Sequence, residues 1–143
     1  MCSALTSFSE YIHIWYPIFK VGFSEKYFRI ISGPLIPSTD SSLVLLVAAI
    51  GVLCQSDGLE TNEFEPAETP FVEAALSSMP IILAELSLSS VQCVVLLSIY
   101  YCCLLKPCHA HDFALIASFK IQNLLKRLVA PLYTSAPSLR IVQ

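Results

Sequence analysis

Glycine is scarce in this chain, and so is charge of either sign. Four glycines occur in 143 residues. None sits in a glycine-rich loop, so a phosphate cradle and a dinucleotide fingerprint are both missing. The G-x-S-x-G elbow of serine hydrolases is absent too. Eight Lys and Arg stand against eleven Asp and Glu, a net charge of −3. That balance gives no global attraction to nucleic-acid phosphate or to anionic lipid. No basic residue precedes Lys20, and no continuous apolar run precedes Glu10, which is not the pattern of a secretory signal peptide. Long hydrophobic runs are lacking as well. A membrane span needs about 20 apolar residues. Val91 to Leu105 falls short and is interrupted by Gln92 and Ser98; Ser42 to Cys54 is shorter still.

What remains is strongly apolar. The chain is 55% hydrophobic and 13% charged, against an ordinary charged share of about 25%, and its mean hydropathy is +0.69. Such a chain expects either a membrane or more protein around it. Six cysteines are present. Without an export signal a reducing compartment is expected, where they stay thiols and pack as small apolar side chains.

Periodicity and punctuation predict helices throughout and no strand. Ser7-Phe8-Ser9-Glu10 reads as a capping box, followed at helical spacing by Phe8, Tyr11, Ile12 and Trp15, with Pro17 as the stop. A second helix is expected over Ser24–Ile31, ended by Gly33-Pro34. After the loop "PLIPSTDSS", Thr39 or Asp40 is the expected cap of an apolar helix, Ser42–Cys54, whose Ala48, Ala49 and Gly51 permit close approach. "QSDGLETNEFEPAE" is an acidic loop. Thr69-Pro70 opens the next helix, which Pro80 breaks or kinks. Ser89-Ser90-Val91-Gln92 reads as a capping box for a helix that Pro107 closes. Asp112 is the expected cap of the last helix. That helix presents Phe113, Ile116, Ala117, Ile121, Leu124, Leu125 and Leu128 on one face, with Lys126 and Arg127 suiting its negative end. The two helices, Ser89–Leu105 and Asp112–Leu128, are expected to pair antiparallel across a six-residue loop, with Tyr100, Leu104, Ile116 and Phe119 near the junction. Residues 131–143 read as an irregular tail.

Chemistry-bearing residues concentrate in "CCLLKPCHAH". Cys102, Cys103, Cys108, His109 and His111 are able ligands, but zinc sites pair them as C-x(2–4)-C and H-x(3–5)-H. Adjacent Cys102 and Cys103 diverge by about 100° on a helix, and His109-x-His111 is too tight. Packed thiols and a polar loop are the expected reading. Cys108-His109 is the only local candidate for a nucleophilic pair, and sequence neighbours rarely present side chains to each other. His13 lies in an aromatic helix and reads as a surface or hydrogen-bonded histidine. Glu60, Glu63, Glu65 and Glu68 lack the alternating ligands and turn glycine of a calcium loop. No catalytic, cofactor-binding or metal residues are assigned, no cofactor is expected, and the chain is not expected to be an enzyme.

The stretch from Ser90 to Arg127 resembles the fungal-specific transcription factor domain, or middle homology region, of fungal binuclear zinc-cluster regulators. Ser90, Gln92, Leu96, Leu97, Tyr100 and Tyr101, the loop around Pro107, and the helix from Ala114 to Leu125 carry the likeness. "YIHIWYPIF", "LLVAAIGVLC" and "FVEAALSSM" are similar to upstream parts of that domain in the right order, so the resemblance runs from about Phe8 to Leu128. It implies an all-α fragment of a larger all-α regulatory domain (residues 1–130), acting in transcriptional regulation in the nucleus through protein partners: itself, intact relatives or co-regulators. A secondary-metabolite gene cluster is the setting that family habit implies. The family's C-x2-C-x6-C zinc cluster and its basic run are absent, so the chain alone is not expected to bind DNA directly. The chain also reads as cut short at both ends. A small helical membrane protein is the alternative from another class.

Overall fold

The computed structural model describes residues 2–55 and 69–134, and every regular element among them is helical. The fold class is all-α, as the periodicity predicts. Of the acidic loop, residues 55–68, all but Gln55 lie outside the described residues.

Helix α1 (Cys2–Phe8) starts earlier than expected and runs into a π turn, Ser9–His13. Ser7 and Glu10 therefore form no capping box. Ser9 instead donates its hydroxyl back to the Leu5 carbonyl at 2.8 Å, a local bond that competes with regular helix. A π turn holds one extra residue and so rotates the residues after it about the helix axis. Phe8 and Ile12 are buried, while Tyr11 and Trp15, expected on the same face, point outward. Helix α2 (Phe23–Ile31) begins one residue before the predicted start, after Gly22 at φ 95°.

Helix α3 (Thr39–Leu53) is the axis of the fold; every residue from Ser41 to Gly51 is buried. Its cap is Ser38, not Thr39 or Asp40. Ser38 is extended and accepts the Ser41 N–H at 3.1 Å. Thr39 and Asp40 are used otherwise: the Thr39 hydroxyl donates to the Glu85 carboxylate, and Asp40 pairs with Lys26 at 2.5 Å. Gly51 permits the close approach expected of it. A Cβ on Gly51 would lie 2.0 Å from the Ala4 carbonyl oxygen, so α1 crosses α3 at backbone contact. Helices α4 (Thr69–Ser77) and α5 (Met79–Ala84) are separate, with Pro80 in the first turn of α5; the break expected at Pro80 occurs.

Helix α6 (Leu88–Cys103) is capped by Ser87, two residues before the predicted Ser89. Ser87 Oγ accepts from the Ser90 N–H at 3.1 Å, and Ser90 Oγ accepts from the Ser87 N–H at 3.3 Å. Helix α7 (Pro107–Thr134) is longer than predicted at both ends. Pro107 opens it rather than closing α6, because proline at a first helical position loses no bond. Asp112 is then a second-turn residue, not a cap, and α7 runs through Pro131, so the first four residues of the expected tail are helical. The link between the two helices is three residues, Leu104–Lys106, instead of six. Leu105 takes a left-handed φ of 55°. Its N–H bonds to the Cys102 carbonyl, and Lys106 N–H bonds to that of Tyr101 at 2.9 Å, the pattern of a Schellman stop.

The expected antiparallel pair is present. Ser98 donates to the Ala110 carbonyl at 2.8 Å, and Lys120, three turns further along α7, bonds to residues just before α6. The face of α7 that packs is set by Ala110, Phe113, Ala117, Lys120 and Leu124, spaced 3-4-3-4 as in helix pairs. Phe119 sits on the other side and is 63% exposed, contrary to expectation.

Candidate functional site

The cysteine and histidine run falls at the α6–α7 turn. Cys102, Cys103 and Cys108 are exposed thiols. Tyr101 stacks on His109 at 5.2 Å and on Phe113 at 5.5 Å, the second pair nearly parallel. His109 is thus a ring that closes the hairpin. His111 lies 4.0 Å from the Asp112 carboxylate, both out in solvent. No three metal-capable side chains gather among the described residues. Although Cys103 lies at the surface, partial desolvation of its sulfur, and then the neighbouring Cys102, push its thiol up; burial, and then Cys103, do the same to Cys54. Raised thiols are poor nucleophiles at neutral pH.

A polar junction, with Cys93, Thr39 and Lys120 buried and Glu85 at its exposed rim, ties four helices together. Its Cys93 thiol donates to the Thr39 carbonyl at 3.4 Å and is pushed up to about 12, chiefly by burial. Glu85 accepts from Ser87 and from Thr39, and these bonds hold its carboxyl below the ordinary range. Lys120 Nζ donates to the Leu83 carbonyl at 3.2 Å and the Glu85 carbonyl at 2.7 Å. Lys120 is only 7% exposed, and its burial lowers its pKa. A lysine at i, i+3 and i+4 from apolar residues carries no sign of this role, since its aliphatic stem packs like theirs. The carbonyls left open around the α5–α6 link are what draw the ammonium in. Every member of the junction has structural work.

The motif residues behind the family resemblance are structural in the same sense. Ser90 completes the cap. Gln92 donates to the Ile18 carbonyl at 2.7 Å and so fastens the aromatic N-terminal segment to α6. Leu96, Leu97 and Tyr100 are core.

What is left for partners is apolar surface. At 28 residues, α7 is about 42 Å long, against about 24 Å for the 16 residues of α6. Past Lys120 it runs on beyond the start of α6. Leu115, Phe119, Ile121, Leu125, Leu128 and Val129 are all exposed. Ile121, Leu125 and Leu128, expected on the packed face, have nothing described to pack on. Phe119 and Leu128 are 63% and 64% exposed. A second apolar patch, Tyr11, Ile14, Trp15 and Tyr16, lies beside the π turn. Monomeric domains seldom leave apolar patches of more than a few hundred Å² uncovered. Among the described residues, no helix is long and apolar enough to cross a membrane. The exposed side chains of α7 and of the segment after the π turn are largely apolar.

No family model matches the chain, and no solved structure matches it. The chain is 55% identical over 123 residues to "Putative transcription factor ecdB" of Aspergillus rugulosus; the match takes in 86% of this chain and 21% of that protein. The chain therefore spans about a fifth of the length of the curated relative it matches. Over most of its length, it is similar to a piece of a protein named as a transcription factor.

Proposed function

We propose that the chain is a regulatory, non-DNA-reading portion of a fungal transcription factor and corresponds to part of the fungal-specific transcription factor domain, over residues 1–130. The observation that carries this reading is the 55% identity to the Aspergillus rugulosus protein over 123 residues. The helical hairpin with Ser90 and Gln92 in structural roles is in keeping with it. The chain acts in the nucleus as an inhibitory or effector-responsive module, through protein contacts with itself, intact relatives or co-regulators. A secondary-metabolite gene cluster is its proposed setting, on family resemblance alone. Direct DNA binding is not part of the role. Duplex affinity comes mainly from Lys and Arg on phosphate, and of the few basic residues on α7, Lys120 is spent inside the fold. The residues proposed to meet partners are the exposed apolar ones of α7.

Tethering tests the proposal. The full chain, fused to an unrelated DNA-binding module in a fungal host, should shift reporter output above or below that of the module alone. Phe119→Glu with Leu128→Glu should abolish the shift at equal protein level. A nuclear, stably expressed fusion that leaves the reporter unchanged would refute the regulatory reading.

A further inference from the structure

Between the π turn and the start of α2 lies a cavity of about 170 Å³. Its walls are Leu5, Phe8, His13, Phe19 and Phe23, and Lys20 stands at its mouth. We infer that this cavity binds a small planar aromatic carboxylate.

Size comes first. A cavity of about 150 Å³ lined by apolar side chains holds one benzene. The space here, which opens to solvent and is also lined by Ser9 and Ser24, has room for a single six-membered ring. The walls set the shape. Phe8 and Phe19 have centroids 5.9 Å apart, His13 and Phe19 5.9 Å, and Phe19 and Phe23 stack at 3.8 Å, 11° from parallel. Rings arranged this way offer faces and edges to another ring, in the offset and edge-on contacts that aromatic pairs favour. Saturated rings are thicker and lack the quadrupole that those contacts use.

Charge selects the substituent. No Asp or Glu lines the cavity. Lys20 is exposed and makes no ion pair among the described residues. An anionic group at the mouth meets one cation and no anion. The wall also holds an unfinished polar group: His13 Nδ1 is buried and has no hydrogen-bond partner among the described residues. Buried polar atoms left unpaired are uncommon and costly. The π turn that sets His13 in this wall is itself a feature often found at functional sites. None of this rests on the transcriptional reading, because binding is measured on the chain alone.

The probe is benzoate, titrated into the full chain. Trp15, the single tryptophan, lies two residues from His13, and its fluorescence is followed beside the NMR spectrum during the titration. Saturable binding is expected, with intermolecular NMR contacts from benzoate protons to the rings of Phe8 and Phe19. Benzyl alcohol keeps the ring and loses the charge. It should bind about two- to fivefold more weakly, the worth of an exposed ion pair, and Lys20→Met should weaken benzoate by the same factor. Leu5→Phe fills the space and should abolish binding. Should that variant fail to fold, the NMR contacts in the unaltered chain decide. Absence of saturable binding to the folded chain, contacts to residues outside these walls, equal affinity for benzyl alcohol, or an unchanged Lys20→Met would each overturn the inference.

Discussion

Gly51→Ala adds one methyl group to the most enclosed helix of the fold. In an ordinary helix interior this change stabilises by about 0.5–1 kcal/mol, because alanine has less backbone freedom to lose. Here the sign should reverse. The new carbon would sit 2.0 Å from the Ala4 carbonyl oxygen, 2.6 Å from its carbonyl carbon and 2.9 Å from its Cα. Non-bonded heavy atoms settle at about 3.5 Å or more, so α1 must retreat by about 1.5 Å. The obstacle is backbone and has no rotamer to change. Overpacking of this kind costs about 1–3 kcal/mol. If α1 lets go altogether, the burial of Phe8 is lost as well, about 1.5–3 kcal/mol. Urea unfolding should therefore show a midpoint well below the parent's. Amide exchange should quicken over residues 2–13 while the α6–α7 hairpin keeps its protection. A variant as stable as the parent, with residues 2–13 still protected, would refute the close crossing.

Leu97→Asp puts an unpaired carboxylate where the side chain is 1% exposed. It should cost about 3 kcal/mol or more and leave no cooperative melt by circular dichroism; a parent-like melt would contradict the buried hairpin. Leu105→Gly relieves the left-handed φ of 55° and should raise stability by about 1 kcal/mol, read as a higher melting temperature. Glu85 has its carboxyl lowered first by Ser87 and then by Thr39. Its contribution is thus complete above the ordinary carboxylate range and is lost as pH falls through that range to the folded value. Melting temperature should drop on acidification through pH about 4.5, and Glu85→Gln should flatten that drop; an equal slope in both would dismiss the junction. The parent chain should self-associate and bind an apolar dye through the exposed α7 face, and Phe119→Glu with Leu128→Glu should reduce both in light scattering. A monodisperse, dye-silent parent would count against the open face.

The helices are legible in the sequence because their apolar periods and proline punctuation agree with one another. Ser42–Cys54 reads as helix from composition alone, and Gly51 reads as a contact point because only close approach gives a glycine reason to sit there. Caps are harder. Ser38, Thr39 and Asp40 are all good caps, and only the Glu85 and Lys26 partners, distant in sequence, decide which is free to do it. Pro107 is ambiguous because proline both ends and begins helices; the three-residue turn requires Leu105 to adopt a conformation that its side chain disfavours. Lys120 is invisible as a buried residue, since the carbonyls it serves lie 35 and 37 residues away. The π turn leaves no mark at all, so regular helical spacing turns Tyr11 and Trp15 inward when they point out. The wall of the cavity is hidden for the same reason.

The sheathing of α3 also sets an order of events at the ribosome. α3 is packed by α1, α2, α4 and α6, and the last of these ends at Cys103. Translation adds about 5–20 residues per second. From Leu53 to Cys103 is 50 residues, so for about 3–10 s at that pace the nascent chain carries α3 without its full sheath, α1 and α2 being made but α6 still missing. Its eight consecutive core residues, Leu43–Ile50, are in that interval a ready target for chaperones that hold extended apolar segments. Slower synthesis between α4 and α6 would lengthen that dependence without altering a single contact of the finished fold.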